Sequence, residues 1–87
     1  MLIGHEIYLS GAPCPMCMSA IYWARIDAVY FASDLEAIRR IGFDDAFQYE
    51  DFAKPYEERR MTIAQFRPDL GEEPHRAWAE KPDKHPY

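Results

Sequence analysis

The sequence has no surplus of basic residues. Its 87 residues include 10 Lys and Arg against 15 Asp and Glu, a formal net charge of −5 at pH 7. A protein that binds a phosphate backbone needs an excess of Lys and Arg, because counterion release supplies most of the affinity. We therefore expect no nucleic-acid partner.

Long apolar runs are also missing. None approaches the roughly 18 residues of a membrane-spanning helix, and the opening MLIGHEIYL has neither the basic region nor the apolar stretch of a signal peptide. We expect a cytoplasmic protein with no membrane partner.

Cysteine is scarce as well, with only Cys14 and Cys17. Since no export signal is seen, a metal or redox role is expected for this pair before a structural disulfide.

What the chain does have is core-forming composition. Hydrophobic residues make up 48% and aromatic residues 15% of the sequence, which is typical of a globular domain. A domain of this length buries only about 60 to 65% of its unfolded surface when it folds alone. The sequence therefore predicts one small domain that packs against something else.

Hydrophobic period and turn residues predict an alternating order of strands and helices. The predicted strands are residues 6–10, 28–32 and 61–66, and the predicted helices are residues 15 to about 26, 33–41 and 72–80. Residues 43–55 are predicted to be irregular. This alternation with short connections favours an α/β fold with three parallel strands, and an exposed sheet edge beside the first strand.

Local signals mark the ends of the second helix. Ser33 and Glu36 match the capping box, in which a hydroxyl and a carboxylate three residues apart bond each other's backbone N–H groups. Gly42 is placed where a left-handed residue would end the helix.

The cysteine pair lies at the strand-to-helix junction APCPMC. Cysteines at i and i+3 on the first turn of a helix point the same way and are able to chelate one ion. The helix N-terminus favours thiolate over thiol, which helps both metal binding and redox attack. From the residues alone, zinc binding, a redox pair and two small buried side chains all remain open.

The surroundings of the pair resemble a known family. PCPMC followed by SAIYWARI is similar to the second motif of the cytidine deaminase-like zinc hydrolases, whose signature is H-x-E and then P-C-x-x-C. The stretch GFDDAFQYEDFAKPYEERRMTIAQF and the ending AWAEKPDKHPY resemble the guanine deaminase branch, so the match covers nearly the whole chain. The resemblance implies the carboxyl-terminal part of a three-layer α/β/α sandwich.

The resemblance also implies a function and a site. The family deaminates bases hydrolytically with Zn²⁺ held by one His and two Cys, and the guanine deaminase branch converts guanine to xanthine. Cys14 and Cys17 would be the two thiolate ligands, and Asp45 and Tyr87 would bind the purine base. The branch exchanges its carboxyl-terminal segment between subunits, which implies a homodimer in which Tyr87 serves the neighbouring pocket.

The sequence departs from the family at two places. It contains no H-x-E, because His5, His75 and His85 are followed two positions later by Ile7, Ala77 and Tyr87. His5 and Glu6 are adjacent on a predicted strand, where side chains alternate between faces, so His5 is not expected to replace the missing ligand. In addition, Ala12 stands where the family usually has an acidic residue.

No catalytic residue is therefore assigned within the 87 residues, and the isolated chain is expected to be an inactive, partial deaminase domain. Two explanations are open: a start codon placed too late, which is preferred, or a real fragment that acts as a dimerisation or binding module. A redox protein is the less favoured alternative of a different class.

Overall fold

A computed structural model describes residues 1–86. Tyr87, one of the residues predicted to bind the base, lies outside the described residues. These described residues form two strands, four α-helices and one 3₁₀ turn. In order these are β1 (Glu6–Gly11), α1 (Pro15–Trp23), β2 (Ala28–Ser33), α2 (Leu35–Arg40), α3 (Ala46–Phe52), the 3₁₀ turn (Tyr56–Glu58) and α4 (Pro68–Glu80).

The two strands pair in parallel, with α1 as the connection between them. Ile7 is opposite Val29 and Leu9 is opposite Phe31, so these four side chains share one face of the sheet. On the other face, the rings of Tyr8 and Tyr30 stack with their centroids 5.1 Å apart. The predicted α/β class and the parallel pairing are confirmed.

The predicted third strand, residues 61–66, is wrong for the described part of the chain, where the sheet has two strands. This segment lies in irregular backbone, and Phe66 is 88% exposed. An alternating apolar pattern indicates which face of a strand would be buried. A strand forms, however, only where a neighbouring strand pairs with its backbone N–H and C=O groups. No such neighbour lies beside it in residues 1–86.

Helix α1 begins at Pro15 as predicted and ends earlier than predicted, at Trp23. Arg25 adopts the left-handed conformation with φ of 63°. Its N–H donates to the carbonyl of Tyr22 at 3.1 Å, and the N–H of Ile26 donates to that of Ile21 at 3.4 Å. This is the Schellman pattern, formed here without glycine, which is why the apolar period did not reveal the end of the helix.

Helix α2 begins with a different cap from the one predicted. Asp34, rather than Ser33, is the N-cap, and its carboxylate accepts a hydrogen bond from the Ala37 N–H at 2.8 Å. Ser33 is already engaged as the last residue of β2. The capping-box prediction with Glu36 is therefore wrong, because strand pairing extends further than the local sequence pattern suggests.

The predicted end of α2 is confirmed. Gly42 has φ of 100°, its N–H donates to the carbonyl of Arg39 at 3.0 Å, and the N–H of Phe43 donates to that of Ile38 at 3.2 Å. Glycine adopts this backbone conformation without the steric cost of a Cβ atom.

Residues 43–55, predicted to be irregular, contain helix α3. Its first residue, Ala46, is buried, and Arg39 of α2 holds Asp44 at 2.9 Å and Glu50 at 3.0 Å. A seven-residue helix is not stable by itself, so contacts with α2 rather than sequence propensity support it.

Helix α4 starts four residues before its prediction, at Pro68, where proline is favourable because its missing N–H is not needed in the first turn. Every residue of α4 is exposed. In contrast to α3, it is not covered by other parts of residues 1–86.

The described chain does not close a hydrophobic core. Ile21 and Ala46 are the buried hydrophobic residues of residues 1–86, each 8% exposed, and Pro13 and Pro15 are the other buried residues of that range. The radius of gyration is 17.8 Å, whereas a compact domain of this length would have one of about 12 Å. The buried residues therefore lie in α1, in the turn before it and at the start of α3, and the two prolines flank Cys14.

Candidate metal and base-binding site

The cysteine pair is carried by the turn that leads from β1 into α1. Cys14 is the N-cap residue of α1 with φ of −67° and ψ of 166°, and Cys17 follows on the first helical turn. Both thiols are free; Cys14 is half-buried and Cys17 is exposed. The flanking prolines, Pro13 and Pro15, are buried, so the backbone that carries Cys14 is restrained on both sides.

The two thiols differ in acidity. Hydrogen bonding to the backbone N–H of Cys17 lowers the pKa of Cys14, and the Cys17 thiol and the Met16 N–H add to this effect. The pKa of Cys17 is raised by its hydrogen bond to Cys14 and then by the negative charge of Cys14. The pair therefore favours one thiolate, on Cys14, that is stabilised by one thiol.

Asp45 lines the same cleft as the two cysteines. It is the residue immediately before α3, is half-buried, and its side chain makes no hydrogen bond to cap its own helix. The charge of its carboxylate raises the pKa of Cys14 and that of Cys17, although it is not the main influence on either. The carboxylate thus remains available to a ligand near the thiols.

These residues line one open cleft of about 360 Å³ at the carboxyl end of β1. Its lining residues are Leu9, Ser10, Gly11, Ala12, Pro13, Cys14, Cys17 and Asp45. Of the four residues predicted for the site, the fold brings Cys14, Cys17 and Asp45 together, although Asp45 is 28 positions after Cys17 in the sequence. The position of Tyr87 is not described.

Tyr49 is a site neighbour that the sequence analysis missed. Its hydroxyl donates a hydrogen bond of 2.6 Å to the carbonyl oxygen of Pro13. Burial raises its pKa, and the negative charges of Cys14 and Asp45 raise it further. The spacing from Asp45 to Tyr49, four residues, was a usable signal, but it becomes informative only when residues 46–52 are known to be helical.

Ala12, the second departure from the family pattern, contributes through its backbone. Its N–H donates to the carbonyl of Ser33 at 2.8 Å, which extends the β1–β2 pairing by one residue toward the cysteine turn. A side-chain carboxylate is therefore not required to hold the backbone at this position.

The donor set fits zinc only in part. Two thiolates at i and i+3 suit a zinc ion, but a zinc site takes three or four protein ligands. Within residues 1–86, no group of three or more His, Cys, Asp and Glu side chains converges on a possible metal position. His5 lies before β1, at the opposite end of this strand from Cys14, and its ring bonds the carbonyl of Ile3 at 3.3 Å. His5 does not approach the thiols.

No protein-family model matches the chain. The chain is 41% identical over 81 residues to guanine deaminase from Bacillus subtilis (strain 168), which covers 93% of this chain and 52% of that protein. It also superposes on the X-ray structure of guanine deaminase from Bacillus subtilis with a TM-score of 0.80 and 41% identity, over 90% of this chain and 50% of that chain.

The chain thus spans about half the length of the guanine deaminase it matches. Within that half, both the sequence and the fold agree, and the resemblance that the cysteine motif indicated is confirmed. No helix of residues 1–86 combines the length and apolarity needed to cross a bilayer. The chain is a homologue of the carboxyl-terminal part of guanine deaminase, a member of the cytidine deaminase-like family.

Proposed function

We propose that this chain supplies part of the active site of a zinc-dependent hydrolase that deaminates guanine to xanthine. The observation that carries the proposal is that Cys14, Cys17 and Asp45 line one cleft. The identity of 41% to guanine deaminase over 81 residues supports guanine as the base.

In this proposal Cys14 and Cys17 are two of the zinc ligands. A bound zinc ion would make hydroxide available near neutral pH by lowering the pKa of its water. The lowered pKa of Cys14 supports this role, because a thiolate rather than a thiol is the ligand.

Asp45 and Tyr87 would bind the base. The Asp45 carboxylate has no cap hydrogen bond to satisfy, so it is free to accept hydrogen bonds from ring and amino N–H groups of a purine. Tyr87 would cover the base with its ring, as the family resemblance implies.

The 87 residues alone are proposed to be a partial, inactive domain. They contain no His-x-Glu, so both the remaining histidine ligand and the Glu that moves protons would have to come from other residues. Loss of general acid–base help by itself typically reduces a rate about 10²- to 10⁴-fold. Catalysis would therefore require residues that these 87 do not include.

We also propose a homodimer in which the carboxyl-terminal segment is exchanged between cytoplasmic subunits. The exposure of every residue of α4 supports this, since an amphipathic helix with Leu70 and Trp78 on its surface needs an apolar partner.

We propose no nucleic-acid partner, and the net charge of −5 supports this.

A second candidate function is a non-catalytic binding or dimerisation module. It is favoured by the large exposed apolar side chains, which are Met1, Leu2, Ile3, Tyr8, Met16, Tyr22, Trp23, Tyr30, Phe31, Ile41, Phe43, Phe52, Tyr56, Met61, Phe66, Leu70 and Trp78. Surfaces of this kind mark sites of association. A module of this class would bind another chain whether or not the cysteines were intact.

Two preparations separate these functions. The full 87-residue chain with added zinc should not convert guanine to xanthine above a control carrying Cys14→Ala and Cys17→Ala. A chimaera of the unmatched half of B. subtilis guanine deaminase followed by this chain should deaminate guanine, and Cys14→Ser or Cys17→Ser should abolish this activity.

Met16→Ala is the matched control for the chimaera, because Met16 lies between the cysteines and its side chain is exposed. This variant should stay active. A folded chimaera that is inactive with zinc, or that remains active without both cysteines, would contradict the proposal. A thiol pair that readily forms a disulfide under mild oxidant and does not bind zinc would instead favour the redox alternative.

A further inference from the structure

Tyr49 links two parts of the cleft that are distant in sequence. Its half-buried hydroxyl donates to the Pro13 carbonyl at 2.6 Å across 36 positions. Pro13 is buried and directly precedes Cys14, so the bond ties helix α3 to the residue before the thiol pair.

Tyr49 lies on the face of α3 that continues into Asp45, the residue before this helix. Residues four apart on a helix lie one above the other, and Asp45 immediately precedes the first turn. Asp45 lines the thiol cleft, while Tyr49 lines an adjoining apolar cleft of about 490 Å³. The two clefts share Ala12 and Pro13 as a common wall. A shift of Tyr49 relative to Pro13 would therefore move Asp45 relative to the thiols.

Helix α3 needs such a link. It has only seven residues, and Asp45 contributes no side-chain cap. Arg39 joins it to α2 through Asp44 and Glu50, but α2 lies after β2 and does not carry either cysteine. The Tyr49–Pro13 bond connects α3 directly to the turn that bears the thiols.

We propose that Tyr49 is a positioning residue of the zinc and base site, whose bond to Pro13 sets the separation between the thiol pair on α1 and the Asp45 carboxylate before α3. The inference rests on the proposed function. Tyr49 acts through Pro13 and Asp45, and it touches neither the metal nor the base.

The test is Tyr49→Phe in the full 87-residue chain, which removes the hydroxyl and keeps the ring. Co²⁺ serves as the probe, because thiolate ligation gives it a charge-transfer absorption that reports binding by Cys14 and Cys17. We expect affinity for Co²⁺ to fall about three- to tenfold, the factor that corresponds to one net hydrogen bond. Guanine deamination by the chimaera should show a raised KM, since Asp45 moves.

Two controls separate positioning from general destabilisation. Tyr22→Phe removes an equivalent hydroxyl from a side chain that is 71% exposed, and should leave Co²⁺ affinity unchanged. Val29→Ala removes two methyl groups from β2, where Val29 is opposite Ile7 of β1, and leaves the Pro13 bond intact. For the same loss of thermal stability, Tyr49→Phe should weaken Co²⁺ binding more than Val29→Ala does. Equal weakening would overturn the inference.

If the unmodified chain and its chimaera bind no Co²⁺ and show no activity, the proposed function fails, and the link is judged by amide exchange of the metal-free chain. Tyr49→Phe should then accelerate exchange in residues 12–18, and Tyr22→Phe should not. Unchanged exchange in that segment would overturn the role of Tyr49 on its own.

Discussion

Residues 6–52 and residues 53–86 both contain helix, but they are supported in different ways. The first region includes the parallel strand pair, the buried residues Pro13, Pro15, Ile21 and Ala46, and the Tyr49–Pro13 bond. In the second region no described residue is buried. It contacts the first region near the boundary, where the Arg60 N–H donates to the Asp51 carboxylate at 3.3 Å and the Arg60 guanidinium lies 4.2 Å from the centre of the Phe47 ring. Farther along, its polar contacts are local, such as the Arg67–Asp69 pair at 2.7 Å and the Lys84 bond to the Ala79 carbonyl at 3.0 Å.

This difference shows which part of the chain carries its own tertiary structure. The site residues Cys14, Cys17 and Asp45 all belong to residues 6–52, which we call the supported region. Helix α4 has a proline start but carries Gly71 and Pro74 in its interior, which disfavour helix, and nothing in residues 1–86 covers it. Substitutions of the same type placed in each region should therefore have unequal effects.

The largest difference is expected for truncation of apolar side chains. Ile21→Ala removes a buried side chain of α1 and should lower the free energy of unfolding by about 2–4 kcal/mol. In the monomeric chain, Leu70→Ala on exposed α4 should change it by less than about 0.5 kcal/mol. Urea unfolding of both variants measures the difference. Equal losses would show that α4 packs onto the body of the protein.

Two glycine-to-alanine changes should have opposite signs. Gly42 has φ of 100°, so Gly42→Ala should destabilise the supported region by about 1 kcal/mol. Gly71 lies within α4, and an added Cβ atom would meet nothing within 4 Å. Gly71→Ala should therefore favour α4 by about 1 kcal/mol of helix propensity. Thermal unfolding followed at 222 nm reports the first change, and total helix content reports the second.

Removal of one guanidinium should be a smaller but still unequal perturbation. Arg39 forms ion pairs with Glu36, Asp44 and Glu50 and so joins α2 to α3. Within the described residues, the ion pair of Arg67 is with Asp69, two positions away. Arg39→Ala should lower the melting temperature more than Arg67→Ala does. Added salt should reduce this difference, because both sets of ion pairs are exposed. Equal melting temperatures would contradict a supporting role for Arg39.

The smallest effect compares the two thiols of the site. The pKa of Cys14 is lowered and that of Cys17 is raised, so the Cys14 thiolate persists to lower pH. Iodoacetamide should alkylate Cys14 first as pH rises toward the ordinary cysteine pKa of about 8.5. Asp45→Asn should speed alkylation at both positions, since the Asp45 charge raises both pKa values. Mass spectrometry of the two labelled positions over a pH series measures the order, and Cys17 reacting first would contradict it.

The local elements were predictable where short-range signals decide them. Pro15 predicts the start of α1, Gly42 predicts the end of α2, and the apolar runs predict β1 and β2 to within one residue at their carboxyl ends. Two helix features were not predictable in this way. Arg25 ends α1 without glycine, and α3 forms in an acidic segment because Arg39 neutralises Asp44 and Glu50.

The candidate site likewise has one part that short-range sequence signals predict and another that they do not. The C-x-x-C spacing by itself places Cys14 and Cys17 on one side of the first turn of α1, because three residues are close to one helical turn. The approach of Asp45 to this pair, across 28 positions, depends on α2 and α3 packing together. The link through Tyr49 depends on the same packing and was therefore missed.

The amino-acid sequence by itself determined the α/β alternation, the paired thiols at a helix start and the relationship to guanine deaminase, because each rests on residues close together or on direct identity. Only the tertiary structure decided that the sheet of the described residues has two strands rather than three, that Asp45 and Tyr49 approach the cysteine turn, and that α4 stays exposed. Those outcomes depend on which distant surfaces come into contact, and local residue patterns do not specify that.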